Sequence, residues 1–296
     1  MKIRTKSIIQ IFVTAFLMIC SQHDVFSQEA DSTRIKKPGL FVGLSLGSSQ
    51  THIANEGILS VADLYSDKQN AFGGSLEIGY FFSKSIGLSS GIGYSSYKTQ
   101  LTLANYQSEF NAVDSENETY ERRVAGTNIK ELQNIGFLSI PMCLDIRLPL
   151  GKKMGFFLQT GVNLAIPVSK KYSSSGTFTY KGYYPVYNVL LENLPAYGFP
   201  GNLLSNSDGE LELKPLNFNF VASAGIDFFV QKNIQIGVAA SFTMSLSNIS
   251  DYTLPDKFQL SSDVNQINSL MGGSSNASVQ SIGLNIRIRY FLKSGF

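Results

Sequence analysis

The residues able to do chemistry in this chain are few. His23 and His52 are the histidines, and Cys20 and Cys143 the cysteines. An acyl-transfer dyad at His52 would draw on Ser48, Ser49 or Thr51, with Glu56 nearby in sequence. Nucleophilic catalysis needs in addition an orienting group and an oxyanion site, and the plain alternative is a solvated loop histidine. One histidine in a loop and one cysteine on a distant strand cannot build a nitrogen and sulfur zinc cage. Asp251 with Asp256, or Asp63 with Asp67, lack the spacing of a calcium loop. Gly91-Ile92-Gly93 lies inside a strand pattern, without the strand-turn-helix setting that gives glycines a phosphate to bind. Cys143 reads as a small packing residue. No metal and no cofactor is expected.

A second group carries a stronger pattern. Glu77, Asp145, Arg147, Asp227, Arg287 and Arg289 are each flanked by large apolar residues, as in Leu76-Glu77-Ile78 and Ile286-Arg287-Ile288-Arg289-Tyr290. In a strand such charges all turn to one face. Buried charges persist when paired, so three acids and three bases predict a neutral, hydrogen-bonded ion network. A proton or ion path is the functional alternative to this structural plug.

To meet, these groups must ride on strands that enclose them. Period-two alternation marks eight strands, at about 39–50, 71–83, 85–99, 134–148, 154–168, 216–230, 234–247 and 279–292. Leu40, Val42, Leu44 and Leu46 share one face of the first, and Phe41, Gly43, Ser45 and Gly47 the other. In a soluble barrel the outer face carries solvated charges. Here the bulky set is uncharged in every strand, which suits lipid, and the small set suits a narrow interior. The six charges come from strands two, four, six and eight, while the odd strands turn mostly Gly, Ser and Ala inward. Tight turns at 82–85, 149–153 and 231–233 alternate with long loops at 51–70, 100–133, 169–215 and 248–278, as expected when all turns are periplasmic and all long loops external. Aromatic residues sit at both ends of the lipid face: Tyr80, Phe82, Phe156, Phe228 and Tyr290 near the turns, Tyr94, Phe218, Phe220 and Phe242 towards the loops.

Residues 1–27 read as a secretory signal: Lys2, Arg4 and Lys6, an apolar run from Ile8 to Cys20, and Val25-Phe26-Ser27 as cleavage site. The run is too short for a spanning helix, which needs roughly 20 residues. Residues 28–38 form a polar periplasmic lead-in, and 39–296 the barrel domain. Cleavage removes three basic residues and one acid, leaving 21 of each. A formally neutral chain gives no reason to expect nucleic acid as a partner. With only Cys143 remaining, no intrachain disulfide forms. A bilayer location for such a chain requires a closed barrel, because closure alone satisfies every strand's backbone without water.

Several segments together resemble a known family: Phe26-Ser27-Gln28 at the signal end, Gly39-Leu40-Phe41-Val42-Gly43, Leu138-Ser139-Ile140-Pro141, Leu158-Gln159-Thr160-Gly161-Val162, and Ile286-Arg287-Ile288-Arg289-Tyr290-Phe291. In this order they are similar to the PorT-like outer-membrane β-barrel proteins of the Bacteroidota, over essentially all of 39–293. The resemblance implies fold and location. The type member of the family belongs to a secretion machinery.

The third long loop holds Tyr172, Phe178, Tyr180, Tyr183, Tyr184, Tyr187, Tyr197 and Phe199. Exposed tyrosines give contact area at low entropic cost and suit a protein or glycan partner. Buried, the same rings cap the barrel. Tyr180, Tyr183, Tyr184, Tyr187 and Tyr197 are the candidate binding surface. The expectation is therefore all-β: an eight-stranded antiparallel up-and-down transmembrane barrel in the bacterial outer membrane, in contact with lipid. Its lumen is plugged and its role is non-enzymatic, structural or accessory, serving secretion or surface interaction through the loops. A small solute or ion pore and a lipid-modifying enzyme using His52 are the alternatives.

Overall fold

The computed structural model describes residues 39–57, 64–151, 153–254 and 258–292. The expected signal peptide and lead-in lie outside the described residues, as do Asp63 and Asp256. The strands are β1 (Leu40–Glu56), β2 (Leu64–Phe81), β3 (Ile86–Val113), β4 (Thr119–Leu150), β5 (Met154–Tyr184), β6 (Val189–Glu192), β7 (Leu203–Glu210), β8 (Asn217–Phe229), β9 (Ile234–Ser245) and β10 (Asn276–Phe291). Eight of them form a ring. β1 to β5 pair in chain order, β5 pairs with β8, β8 with β9, β9 with β10, and β10 returns to β1, all antiparallel. Closure of this kind leaves no edge at the depth of the membrane.

The alternation sets which face each residue takes. Leu46, Leu76 and Leu284 expose 60, 65 and 66 % of their surface, values foreign to a soluble core. They belong to a continuous outward set with Leu44, Ile78, Leu88, Ile92, Ile140, Val238, Ile282 and Ile286, and that set faces lipid. Tyr80, Phe82, Phe228 and Tyr290 flank it at the turn side, Tyr94 and Phe218 at the other. On the opposite parity Phe41, Phe137, Phe157, Asp145, Asp227 and Arg289 are buried.

Three of the four expected long loops, 51–70, 100–133 and 169–215, are largely strand. β3, β4 and β5 run for 28, 32 and 31 residues, against 13 and 12 in β8 and β9. The span 100–133 is a continued hairpin, paired to Val113↔Thr119 and closed by a short turn. β5 likewise continues to Tyr184, where β6 and β7 pair with it. The reason is physical. Beyond the bilayer the outer face is wet, so the apolar half of the alternation disappears there and only the inward half remains in Leu101, Leu103, Ile129 and Ile135. Register shifts between Thr127 and Lys130, and between Gly136 and Phe137, move that inward parity as well.

The tall sheet encloses a second core. The described residues of segment 246–275, with a 3-10 turn at Leu270–Gly273, pack against it through Leu260, Ile267, Leu270 and Met271, each fully buried.

Candidate functional site

The lumen is layered. At the periplasmic end Phe41, Phe81, Phe229 and Phe291 form an aromatic floor, with ring centroids 5.6 to 6.2 Å apart. Above it lie the six charges. Arg289 on β10 donates from Nε to Glu77 Oε1 at 2.6 Å and from Nη2 to Glu77 Oε2 at 2.9 Å, and Nη2 also reaches Asp145 Oδ1 at 2.7 Å. Arg287 holds Asp227 with two bonds, of 3.1 and 2.7 Å, and stands 4.0 Å from Asp145. The second Asp145 oxygen accepts from Ser89, and Gln159 bonds Ser89 and Glu77. These side chains are almost wholly buried, where bidentate arginine geometry is the arrangement that offsets desolvation.

Local sequence makes this possible. Gly43 on β1 lies in register between Glu77 and Arg289, and Gly237 on β9 between Asp227 and Arg287. A Cβ on Gly43 would stand 2.6 Å from Glu77 Oε1, and one on Gly237 would overlap Asp227 Oδ1. Each arginine of β10 thus reaches across a glycine strand to a carboxylate on the strand beyond.

Arg147 departs from the expected three-against-three pairing. It makes no ion pair among the described residues, its Nε and Nη2 have no hydrogen-bond partner there, and its guanidinium lies 4.3 Å from the Phe229 ring centroid. Its register partner on β5 is Phe157, not an acid. Asp227 is already held at both oxygens by Arg287, so Arg147 stacks on the floor instead.

Over the network is a hydroxyl-lined chamber of about 190 Å³ bordered by Ser45, Ser75, Ser89, Ser139, Ser241 and Ser281. Asn163 Oδ1, Asn285 Oδ1 and Arg287 Nη1 line it without a protein partner among the described residues, and polar chambers of this kind hold ordered water. The roof is apolar: Tyr97 packs edge-on against Phe137 with centroids 5.7 Å apart, joined by Ile53, Ile135, Ile249 and Val279.

The extracellular part is tied together by groups that sequence reasoning missed. Glu131 is fully buried and accepts four hydrogen bonds, from Leu270 N at 2.8 Å, Ser269 Oγ at 2.8 Å, Ser174 Oγ at 2.9 Å and Gln133 Nε2 at 2.7 Å. Burial pushes its carboxyl above 4.5, and the four donors oppose that rise without cancelling it. Tyr106 and Tyr172 hold segment 246–275 through Phe258 O, Leu260 N and Ile267 O. The available signal was a glutamate on the inward parity of the sheet's extension.

The five candidate tyrosines separate. Tyr180 is fully buried, with its hydroxyl 2.7 Å from Ser261 Oγ and Arg122 over its ring at 5.2 Å, so it belongs to the core and offers no binding surface. Tyr183 and Tyr184 are half-buried. Tyr183 donates to Asn188 Oδ1 at 3.0 Å; Tyr184 donates to Asp114 Oδ2 at 3.0 Å and stacks on Tyr120. Tyr187 and Tyr197 are exposed, as are Val186, Leu190 and Val113. The outermost end of the sheet therefore exposes large side chains beside the acidic turn of Asp114, Glu116 and Glu118, where Tyr187 donates to Glu118 Oε1 at 2.6 Å.

His52 lies with Nδ1 3.3 Å from Ser66 Oγ and 3.4 Å from Thr99 Oγ1. Burial first, then the nearby Lys68 charge, lowers its pKa from 6.5. Ser48, Ser49, Thr51 and Glu56 make no hydrogen bond to it, and among the described residues no carboxylate orients the ring. Held at Nδ1 by two hydroxyls, the ring reads as a structural group.

An antiparallel ring with a lipid-facing belt, aromatic margins and a polar interior is a transmembrane barrel of the bacterial outer membrane. The chain belongs to the Outer membrane protein beta-barrel domain family, which it matches over residues 26–251. No curated protein is significantly similar to it in sequence. Similar solved structures include Ail, the attachment invasion locus protein of Yersinia pestis, in complex with the heparin analogue sucrose octasulfate (9% identity, 85% of this chain and 99% of that one, TM-score 0.31). OprG from Pseudomonas aeruginosa is another (12% identity, 86% and 97%, TM-score 0.36). A third is the outer membrane protease OmpT from Escherichia coli (10% identity, 86% and 97%, TM-score 0.32).

Proposed function

We propose that this protein is a non-enzymatic outer-membrane barrel whose lumen is closed and whose work is done by its extracellular sheet, as an interaction surface for a protein or glycan partner. The observation that carries this reading is the contrast within the third loop region. Tyr180 and Phe178 are fully buried, whereas Val186 and Tyr197 expose 84 and 74 % of their surface at the same sheet's outer end. Exposed clusters of large apolar side chains mark contact sites. The resemblance to the PorT-like barrels supplies a setting, an accessory role beside a secretion machinery.

The test is a variant with Val186, Tyr187 and Tyr197 all changed to Ser, expressed in the native outer membrane. Crosslinked partners recovered with the wild-type chain and lost with the variant, at unchanged folding, are the expected outcome. Equal recovery from both would remove the surface from consideration. A pore is disfavoured by the aromatic floor and apolar roof, and an enzyme at His52 by the lack, among the described residues, of a carboxylate that orients its ring.

A further inference from the structure

Charge is sorted along the barrel axis. The three turns at the periplasmic end carry Lys84, Lys152, Lys153 and Lys232, and no acid stands in any of them. At the other end the turn between β3 and β4 holds Asp114, Glu116 and Glu118, with Glu109 and Glu121 on the strands beside it. The chain as a whole is close to neutral, so the sign of the periplasmic rim is a local property.

The rim is built at a fixed height. Phe82 N and Ser83 N both donate to Ile86 O, and Ser83 Oγ accepts from Ile86 N at 2.9 Å. Leu150 faces Met154 across Gly151, whose φ of 82° is a left-handed conformation suited to glycine. Val230 N and Gln231 N donate to Ile234 O. Turns this short do not project into the periplasm. Each leaves its lysine within a few residues of an outward aromatic ring: Phe82 for Lys84, Phe156 for Lys153 and Phe228 for Lys232. Such rings sit at headgroup level, where a lysine lays its stem along apolar surface and keeps its ammonium among polar groups.

Placement around the ring narrows the occupant. The turns join β2 to β3, β4 to β5 and β8 to β9, so the lysines are spread round the circumference. A protein covering the end of the barrel would meet the turns from below. The neighbour on every side, level with the rings, is lipid. Lys84, Lys153 and Lys232 are exposed, and none is in an ion pair among the described residues. Residues 28–38, which lead into β1 at the same end, add three bases against two acids by sequence and so leave the sign of the rim unchanged.

We infer that the periplasmic lysine rim, Lys84, Lys152, Lys153 and Lys232, binds the headgroups of anionic phospholipids in the periplasmic leaflet and selects them over zwitterionic ones. Lysines beside an anionic leaflet attract it additively, and the attraction fades within a Debye length.

The full chain is reconstituted in phosphatidylcholine vesicles with a trace of spin-labelled phosphatidylglycerol or of spin-labelled phosphatidylcholine. Electron spin resonance measures the motionally restricted fraction of each label. Wild type is expected to favour phosphatidylglycerol about fivefold at low salt, the ratio that one lysine beside an anionic surface supplies, and to lose the preference at high salt. Changing Lys84, Lys152, Lys153 and Lys232 to Gln abolishes the preference, and changing all four to Arg keeps it. Changing Lys98 and Lys171, which flank Asn134 in register on the extracellular side, to Gln leaves it in place. Equal restriction of the two lipids by wild type overturns the inference. So does a preference that survives the four glutamines, or one that is lost with Lys98 and Lys171 instead. An acidic protein crosslinked through Lys84→Cys in cells, with the two lipids equally restricted in vesicles, overturns it as well and gives the rim to a protein.

Discussion

Arg289 and Glu77 meet across the lumen over the bare backbone of Gly43, with two hydrogen bonds of 2.6 and 2.9 Å. The two residues are 212 positions apart in sequence and two strands apart in the ring. That pair, together with Asp145, ties β10 to β2 and β4 near the periplasmic turns, and several expectations depend on it.

Removing one partner leaves an uncompensated buried charge. Glu77→Gln and Arg289→Met are each expected to destabilise the barrel by about 3 to 5 kcal/mol. The double variant should lose clearly less than the sum. A double-mutant cycle in urea unfolding measures the coupling, and simple additivity would show that the pair is not coupled.

Gly43→Ala and Gly237→Ala push a methyl group into Glu77 and Asp227 respectively. Each should cost about 1 to 3 kcal/mol, the range for overpacking. Ser45→Ala, on the same lumen face of β1, serves as the control. Equal stability of all three variants would contradict the close approach of the arginines over these strands.

On the outer face the same strands obey lipid. Leu284 exposes 66 % of its surface outward from β10, and Leu284→Arg should destabilise the inserted protein by about 2 to 4 kcal/mol. Lys98→Arg, outside the apolar belt, should be neutral. Unfolding from liposomes compares them.

Segment 246–275 is expected to loosen with rising pH. Burial raises the Glu131 carboxyl above 4.5 in the folded state. A raised acid contributes stability that is fully present below the unfolded value and is lost as the pH climbs through the folded one. Protease sensitivity of the segment should therefore increase as the pH is raised above 4.5 in the wild type, and stay level in Glu131→Gln. A wild-type profile that is flat, or that falls with pH, would reverse the assignment.

The floor of Phe41, Phe81, Phe229 and Phe291 and the roof at Tyr97 and Phe137 should keep the lumen electrically silent in planar bilayers. Phe41→Ala alone should leave it silent, since the Arg289 layer stands behind the ring at 4.3 Å. Reproducible conductance steps from the wild type would restore the pore as a reading.

Some of this was legible along the chain. Lipid penalises every charge on the outer face and an eight-stranded ring leaves room for few large groups inside, so parity alone assigned Leu76 outward and Glu77 inward. Parity does not say which neighbours stand at the same height. Arg147 has the lumen parity of its five companions, yet register places it beside Phe157 and against Phe229 rather than against an acid.

Outside the bilayer the sequence lost its grip. The aqueous face of a strand accepts any polar residue, so the long hairpin of β3 and β4 looked like a loop. Tyr180 and Tyr197 are chemically alike and lie in one segment, and one is a core ring while the other is exposed. Glu131 takes its defining hydrogen bond from Leu270, 139 residues away.

By itself, then, the sequence determined the number of strands in the ring, their facing and the membrane address, because a bilayer imposes a rule on each residue separately. Tertiary structure alone decided which charges pair, which tyrosines are buried and how far the strands continue beyond the membrane. Those depend on register and on contacts between distant segments, and no single residue carries that information.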